Sequence, residues 1–159
     1  MRRLISCMRA AIERYNMIED GDKICVGVSG GKDSVALLVA LSEMRRFLPW
    51  NFEVFGVSIN MNFGGVPTDF SEIEELCRRI RVPNTVKDTR IGEIIFDVRN
   101  EQNPCSLCAR MRRGALHDAA KEIGCNKIAL GHHLDDAVET FYINLLSNGT
   151  VGCFRPVTY

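Results

Sequence analysis

The sequence has no excess of charge of either sign and no long hydrophobic run. Lysine plus arginine and aspartate plus glutamate both total 20, so the formal net charge is zero. A globally cationic surface is therefore excluded, and any contact with nucleic acid must use local patches. No apolar run reaches the length of a membrane span, and Met1–Arg3 does not lead into the apolar core of a signal peptide. We expect a cytoplasmic protein with no membrane partner.

Two common nucleotide-binding signatures are also missing. A Walker A loop that ends at Gly31-Lys32 would need a glycine in place of Val26 and a serine or threonine in place of Asp33. The same stretch fails the G-x-G-x-x-G pattern of dinucleotide-binding turns. The sequence therefore excludes a Walker-type motor and a dinucleotide dehydrogenase.

The stretch Ser29-Gly30-Gly31-Lys32-Asp33-Ser34 nevertheless has the features of a phosphate-binding loop. It follows the apolar run Ile24–Val28, which predicts a buried strand, and it precedes Val35–Leu41, which predicts a helix. Adjacent glycines let the backbone approach a ligand closely, and a helix N-terminus offers unpaired N–H groups to phosphate. All six residues are candidates for nucleotide contact. The alternative interpretation is an ordinary strand–helix turn that happens to contain glycines.

Strands and helices alternate along the whole chain. The predicted strands are 23–28, 52–60, 82–87 and 126–130, with a further extended segment at 151–159. The predicted helices after the first strand are 32–46, 71–80, 105–123 and 135–146. This order predicts an α/β fold with a doubly wound, mostly parallel five-stranded sheet. Ligands of such sheets bind beyond the carboxyl ends of the strands.

A second polar motif, Gly131–Thr140, follows the strand predicted at 126–130. Carboxylates beside bound phosphates need a cation between them, and Mg²⁺ combines one or two carboxylates with phosphate and water oxygens. Asp33 and Asp136 are therefore the predicted magnesium ligands, with Asp135 next. In the alternative interpretation, Asp135 caps a helix and Glu139 is an exposed helix residue.

The same motif contains a glycine and two histidines at the strand–helix turn. If the first and fourth strands are neighbours, this turn and the Ser29–Ser34 loop face one crevice. Gly131 and His132 are then candidates for nucleotide contact. Either His132 or His133 could instead cap the end of the strand.

Seven cysteines is a high and odd number, which in a reducing compartment favours thiols or metal ligands over disulfides. Cys105 and Cys108 lie at the start of a predicted helix and share one face of it. Such thiolates could bind a soft metal or a cluster, or carry sulfur, but two cysteines do not complete a zinc or iron–sulfur site. The alternatives are a redox pair or two buried small side chains. Cys7, Cys25 and Cys77 sit in apolar patterns and are predicted to be core residues.

Three arginines follow the cysteine pair on the same predicted helix, namely Arg110, Arg112 and Arg113. The arginines at 78–81, by contrast, are typical of a solvated helix face. Those beside the cysteines could bind a phosphate backbone or stabilise a transition state.

Three motifs stand in one order along the chain: SGGKDS at 29–34, CSLCARMRRG at 105–114 and GHHLDDAVET at 131–140. The first resembles the PP-loop of the N-type ATP pyrophosphatases, which cleave ATP between the α and β phosphates. The combination resembles the tRNA 2-thiocytidine synthetase family within the PP-loop tRNA-modifying ATPases. Lysidine synthetases resemble both loops but do not carry this C-x-x-C.

The resemblance implies a Rossmann-like fold of the adenine nucleotide alpha hydrolase type and a tRNA sulfurtransferase activity. In this family, ATP and Mg²⁺ adenylate the C2 carbonyl oxygen of a cytidine in the tRNA anticodon loop. Sulfur held on a 4Fe–4S cluster then displaces AMP to give 2-thiocytidine. The implied catalytic residues are Lys32, Asp33 and Arg112, and Cys105 and Cys108 match two of the three cluster cysteines. The implied partners are tRNA and a cysteine desulfurase or other sulfur donor, and a homodimer is allowed.

The sequence departs from the family at its end. The third cluster cysteine of the family lies beyond an arginine–proline segment that Phe154–Val157 resembles, whereas Cys153 precedes this segment. We therefore expect residues 1–159 to be a single PP-loop ATP-pyrophosphatase domain that lacks its C-terminal end, binds ATP and lacks full activity. The alternatives are another PP-loop tRNA ligase, of the 2-thiouridine or lysidine type, and a nucleotide- or metal-binding module without catalytic activity.

Overall fold

The computed structural model describes residues 1–65, 68–98 and 104–153, in which strands and helices alternate as predicted. The strands are β1 (Lys23–Gly27), β2 (Glu53–Asn60), β3 (Asn84–Asp88) and β4 (Lys127–Ala129). The helices are α1 (Arg2–Tyr15), α2 (Lys32–Met44), α3 (Ser71–Arg79), α4 (Ile91–Glu93), α5 (Pro104–Ile123) and α6 (Leu134–Ser147). A 3-10 turn, Phe63–Gly65, follows β2, and a π-helical turn, Ile94–Val98, continues α4. Of the helices described, none is long and apolar enough to cross a membrane.

The strands form one parallel sheet in the order β3-β2-β1-β4. β1 pairs with β2 along Lys23–Gly27 and with β4 along Ile24–Val26. Because the first and fourth strands are neighbours, the loops that follow them leave the sheet side by side at its carboxyl edge. The Ser29–Ser34 loop and the Gly131–Thr140 motif can therefore face one crevice, as expected if the first and fourth strands are neighbours.

The sheet has four strands within the described residues, and the prediction of five is wrong for this part of the chain. The fifth strand was expected at residues 151–159. Val151–Cys153 form no strand, because the backbone here bonds to the preceding helix. Asn144 accepts the N–H of Thr150 at 3.1 Å on its backbone oxygen, and its side-chain amide donates to the carbonyl of Gly152 at 2.9 Å. Residues 154–159, with the arginine–proline segment, lie outside the described residues.

Apolar side chains cover both faces of the sheet. On one face, α1, α2 and α3 bury a cluster around Val26 and Leu38. On the other face, α5 buries Leu116 against Cys25 and Val57. Cys25 and Val26 are adjacent in β1 and belong to different clusters, because successive side chains of a strand point to opposite faces. This two-sided burial explains why the strands are continuous apolar runs in the sequence.

A buried carboxylate braces the amino-terminal edge of the sheet. Asp22 is 4% exposed and lies 2.7 Å from Lys127 Nζ. It also accepts hydrogen bonds from the Asn126 side-chain amide at 2.7 Å and the Glu19 backbone N–H at 2.6 Å. Burial alone would raise the pKa of Asp22, but the hydrogen bonds from Lys127, Glu19 and Asn126 outweigh it and lower the pKa. The network ties the start of β4 to the turn before β1, which positions the two strands as neighbours.

Candidate active site

Hydroxyl groups shape the loop Ser29–Ser34 at the end of β1. The buried Ser34 Oγ donates to the Gly31 carbonyl at 2.9 Å and accepts from the Ser29 N–H at 3.2 Å. Gly30 has a φ of 82°, in the left-handed region that favours glycine. Gly31 is the N-cap of α2, so the first N–H groups of this helix lack intrahelical acceptors at the loop. The loop therefore presents unpaired backbone N–H groups, and the hydrogen bonds of Ser34 hold its backbone in place.

Lys32 and Asp33 form an exposed ion pair in the first turn of α2. Lys32 Nζ lies 2.9 Å from Asp33 Oδ2. The hydrogen bond from Lys32 lowers the pKa of Asp33, and the same bond raises the pKa of Lys32. At neutral pH the loop therefore carries an ammonium that attracts phosphate beside a carboxylate that can bind a cation.

Gly131 brings the turn between β4 and α6 directly against this loop. A Cβ at position 131 would lie 2.8 Å from the Ser34 backbone nitrogen and 2.9 Å from the Asp33 carbonyl carbon. Both neighbours are backbone atoms that cannot rotate away, so only glycine permits this approach. Gly131 therefore sets the separation of the two motifs, and its contact with a nucleotide stays a prediction.

His133 lies between carboxylates of both motifs. Its Nε2 lies 3.6 Å from Asp33 Oδ2, and its Nδ1 lies 3.7 Å from Asp136 Oδ2. Its backbone N–H donates to Asp136 Oδ2 at 2.7 Å at the start of α6. His133 holds the N-cap position, so the alternative in which Asp135 caps the helix is wrong. Asp33 and Asp136, the predicted magnesium ligands, therefore flank one imidazole.

Two adjoining clefts open at the carboxyl edge of the sheet. The first, of about 190 Å³, is lined by the Ser29–Ser34 loop, the β4–α6 turn and Arg112 of α5. The second, of about 210 Å³, shares Arg112 and His132 with the first. The predicted site residues that line the first cleft are Ser29, Gly31, Asp33, Ser34, Arg112, Gly131, His132 and Asp136.

Sequence reasoning missed the apolar wall of the second cleft. Val57 and Ile59 of β2 face Leu116 of α5 and Leu130 across it. A Cβ on Gly27, at the end of β1, would lie 2.9 Å from Leu116 Cδ2, so this glycine keeps the wall close to the strand. The apolar end of β2 was the only signal in the sequence. Its facing residues follow only from the order of the strands and the position of α5.

The cysteines divide into core residues and exposed or half-buried ones. Cys25 and Cys77 are buried, as predicted, and burial raises the pKa of the Cys25 thiol to about 12. Cys25 is therefore a protonated core residue. Cys7 is exposed on α1, so its assignment to the core is wrong.

Cys105 and Cys108 lie about one turn apart at the start of α5. Cys105 is exposed, and Cys108 is half-buried with its Sγ 3.6 Å from Met61 Sδ in the loop after β2. Arg112 follows about one turn after Cys108, so the cysteine pair and the clefts lie at the same end of α5. Across residues 1–65, 68–98 and 104–153, no group of three or more His, Cys, Asp or Glu side chains is arranged to hold a metal ion.

A parallel sheet with a glycine loop before α2 and a carboxylate-rich turn beside it defines an α/β nucleotide-binding domain. The family model of the PP-loop domain matches residues 5–154. The chain therefore belongs to the PP-loop domain family.

The curated relatives of similar sequence include several tRNA-cytidine(32) 2-sulfurtransferases. That of Syntrophotalea carbinolica is 44% identical over 147 residues, which cover 92% of this chain and 56% of the relative. That of Geotalea daltonii is 38% identical over 172 aligned residues, with 99% of this chain and 68% of the relative covered. That of Alkalilimnicola ehrlichii is 40% identical, with 98% and 49% covered. The chain thus spans about half to two thirds of the length of these relatives.

The fold is also similar to that of a solved tRNA thiolase. The U34-tRNA thiolase NcsA from Methanococcus maripaludis, solved with its 4Fe–4S cluster, matches with a TM-score of 0.70 and 25% sequence identity. The match covers 84% of this chain and 45% of NcsA. The α/β architecture with a parallel sheet is therefore shared with an enzyme that thiolates tRNA.

Proposed function

We propose that the chain is the ATP-binding part of a tRNA sulfurtransferase that converts a cytidine of the anticodon loop to 2-thiocytidine. The observation that carries this proposal is the cleft shared by the Ser29–Ser34 loop and the β4–α6 turn. The helix that supplies Arg112 to this cleft also carries Cys105 and Cys108. ATP binding follows from the PP-loop domain, and tRNA thiolation is supported by the names of the relatives and by NcsA.

The two clefts suit the two ends of ATP. Phosphates would bind at the N-terminus of α2, where Gly30, Gly31 and the first N–H groups of the helix leave room for oxygen atoms. The apolar second cleft would take the nucleoside. In adenylation, the cytidine C2 oxygen bonds to the α-phosphorus and pyrophosphate leaves. Lys32 and the loop amides would stabilise the departing pyrophosphate, and Arg112 would stabilise charge at the junction of the clefts.

Asp33 and Asp136 fit a magnesium ion by their chemistry and position. Both carboxylates line the first cleft, and Mg²⁺ is commonly held by one or two carboxylates and phosphate oxygens. The lowered pKa of Asp33 keeps this ligand ionised. When bound, the ion offsets phosphate charge.

Cys105 and Cys108 fit part of an iron–sulfur site, because two thiols lie one turn apart at an accessible helix start. When bound, a 4Fe–4S cluster supplies the sulfur that displaces AMP. A third cysteine of the family pattern is not matched in the chain. The role of the two cysteines is to anchor the cluster beside the cleft that activates the cytidine.

The partners and setting of the whole protein follow from this activity as proposals. The proposed partners are tRNA and a cysteine desulfurase or other sulfur donor. The proposed location is the cytoplasm, and a homodimer is one proposed assembly. The chain itself would be a single PP-loop domain, and it spans about half to two thirds of the length of the curated relatives described above.

Nucleoside analysis of bulk tRNA from a deletion strain tests the proposal. Mass spectrometry should show loss of 2-thiocytidine, and the wild-type gene should restore it. Persistence of 2-thiocytidine would refute the assignment. ATP–pyrophosphate exchange by the full-length protein with tRNA present should separate an adenylating enzyme from a binding module.

A 2-thiouridine synthetase is the second candidate, because NcsA, the structural neighbour, acts on U34. The same nucleoside analysis distinguishes the two activities. Loss of 2-thiouridine with unchanged 2-thiocytidine would favour this second candidate.

A further inference from the structure

Two exposed phenylalanines meet at the carboxyl edge, outside the two clefts. Phe63 in the turn after β2 is 43% exposed, and Phe96 in the turn after α4 is 55% exposed. Their rings pack edge to face with centroids 5.9 Å apart. Together with Gly64 and Gly92, they line a depression of about 500 Å³, here called the aromatic depression.

The backbone beneath the aromatic depression is braced. The Gly92 N–H donates to the Met61 carbonyl at 2.8 Å, and the Asn62 side-chain amide donates to the Thr89 carbonyl at 2.9 Å. A Cβ on Gly92 would lie 2.8 Å from the Met61 carbonyl oxygen and 3.0 Å from the Phe63 ring. The loop and α4 therefore pack backbone to backbone, which holds Phe63 at the surface at little entropic cost on binding.

The loop that carries Phe63 also contacts the helix that carries the cysteine pair. Met61, two residues before Phe63, contacts Cys108 through sulfur atoms 3.6 Å apart. The aromatic rings thus belong to the same loop that contacts the start of α5. A group held on Phe63 would lie on the side of the site where the cysteines are.

Charges of both signs lie on the elements around the aromatic depression: Glu93 of α4 is paired with Arg90, Asp97 follows Phe96 in the chain, and the start of α5 is cationic. The first ten residues of α5, which packs against α4 and the π-helical turn, carry Arg110, Arg112 and Arg113 and no carboxylate. The exposed apolar face of α6 has no such cations, because this helix carries only acidic charges. Exposed aromatic rings combined with arginines are the usual composition of single-stranded nucleic-acid surfaces.

We propose that Phe63 and Phe96 form a stacking platform for an unpaired base of the tRNA substrate, with phosphates held by the arginines of α5. The proposal rests on the tRNA thiolase function proposed above and deepens it. Stacking is tolerant of base identity, so the platform would hold the loop of the RNA open rather than read its sequence. The target cytidine would then be free to enter the cleft.

Binding of an anticodon stem–loop RNA to the full-length protein, measured by fluorescence anisotropy, tests the platform. Phe63→Leu and Phe96→Leu should each weaken binding roughly 5- to 100-fold, because stacking on one aromatic ring contributes about that much. Phe63→Tyr should restore it. Phe47→Leu is the matched control, since Phe47 is 45% exposed beyond the far end of α2. It should leave RNA affinity unchanged.

Further readouts separate stacking from a structural role. The leucine variants should keep the wild-type dependence of affinity on salt, whereas Arg113→Gln should reduce it, because only phosphate contacts release counterions. In both leucine variants, ATP affinity and the thermal unfolding midpoint should stay at wild-type values. Ultraviolet cross-linking followed by peptide mass spectrometry should place bound RNA on Phe63 or Phe96.

The results that would overturn the stacking platform differ from those that would overturn the proposed tRNA sulfurtransferase function. Wild-type RNA affinity in both leucine variants, or equal loss in Phe63→Tyr and Phe63→Leu, would overturn the platform alone. Unchanged RNA affinity with impaired sulfur delivery would assign the surface to a protein donor and likewise overturn it. No RNA binding by the wild-type protein would overturn the proposed function and the platform together.

Discussion

Gly131 and Ser34 are in contact through their backbones, where a Cβ on residue 131 would lie 2.8 Å from the Ser34 nitrogen. Gly131→Ala should therefore separate the β4–α6 turn from the loop at α2. We expect at least about a tenfold rise in the Kd for ATP, because donors displaced by even part of an ångström lose hydrogen-bond strength. Isothermal titration with ATP measures this.

Gly114→Ala is the matched control for Gly131→Ala. A Cβ at position 114, in the middle of α5, meets no atom within 4 Å. The alanine should leave ATP affinity unchanged and stabilise the helix by roughly 0.5–1 kcal/mol. Equal ATP affinity in both variants would show that the contact does not set the site.

Asp33→Asn tests the predicted metal ligand with little change of shape. We expect ATP–pyrophosphate exchange to fall by more than about 100-fold, because loss of one charged group aimed at the reacting phosphates has an effect of that size. Asp118→Asn, on an exposed part of α5, should leave exchange unchanged. A magnesium titration should show that only the Asp33 variant needs a higher magnesium concentration for exchange. Normal exchange by Asp33→Asn would remove this residue from the metal site.

Cys105→Ala tests the role of the cysteine pair. The full-length variant, reconstituted anaerobically, should bind ATP normally but lose bound iron, cluster absorbance and thiolation of tRNA. Cys7→Ala replaces another exposed cysteine, on α1, and should retain bound iron, cluster absorbance and thiolation. Loss of ATP binding in the Cys105 variant would instead indicate a structural role for the pair.

Asp22→Ala tests the brace at the amino-terminal edge. It should lower the free energy of unfolding by about 2–3 kcal/mol, because it removes three hydrogen bonds and takes away the carboxylate that faces Lys127. Glu53→Ala breaks an exposed pair with Lys23, 3.6 Å apart, and should cost less than about 1 kcal/mol. Urea unfolding measures both values. Equal costs for the two substitutions would contradict the proposed brace.

The pH dependence of stability gives the same brace a second test. Because folding lowers the pKa of Asp22 from its ordinary value of 3.8, the unfolded chain binds more protons in acid. The stabilisation is present above pH 3.8 and is lost as the pH falls through the lower pKa of the folded state. Asp22→Asn should therefore flatten the acid limb of the stability curve, and an unchanged limb would contradict this.

Local sequence patterns were enough to predict most helices and strands. They did not predict which face of each element is buried or which elements it packs against. The strand expected at 52–60 is Glu53–Asn60, and the helix expected at 71–80 is Ser71–Arg79. Cys7 fits the apolar period of α1, yet the helix turns Ile5 and Met8 inward and leaves Cys7 in solvent. Helical spacing identifies the apolar side of a helix, but it does not decide which residues at the border of that side are buried.

The site was predictable where residues are close in sequence and unpredictable where they are distant. The Ser29–Ser34 loop and the β4–α6 turn each follow one strand, so pattern and chemistry could locate them. Whether His133 faced the carboxylates depended on the contact between these two motifs. The apolar wall from Val57 and Leu116 depended on the strand order and the placement of α5. Such contacts are set by the packing of residues that are far apart in the sequence, so a short stretch of sequence does not reveal them.

The Asp22 brace lies at the amino-terminal edge of the sheet, whereas the loops, cysteines and aromatic depression lie at the carboxyl edge. This stabilising network is thus separate from the residues that would select a substrate. Laboratory evolution could randomise the carboxyl-edge loops while Asp22, Asn126 and Lys127 remain constant. Under the proposed function, the domain would be a suitable scaffold on which to change the nucleoside that is modified.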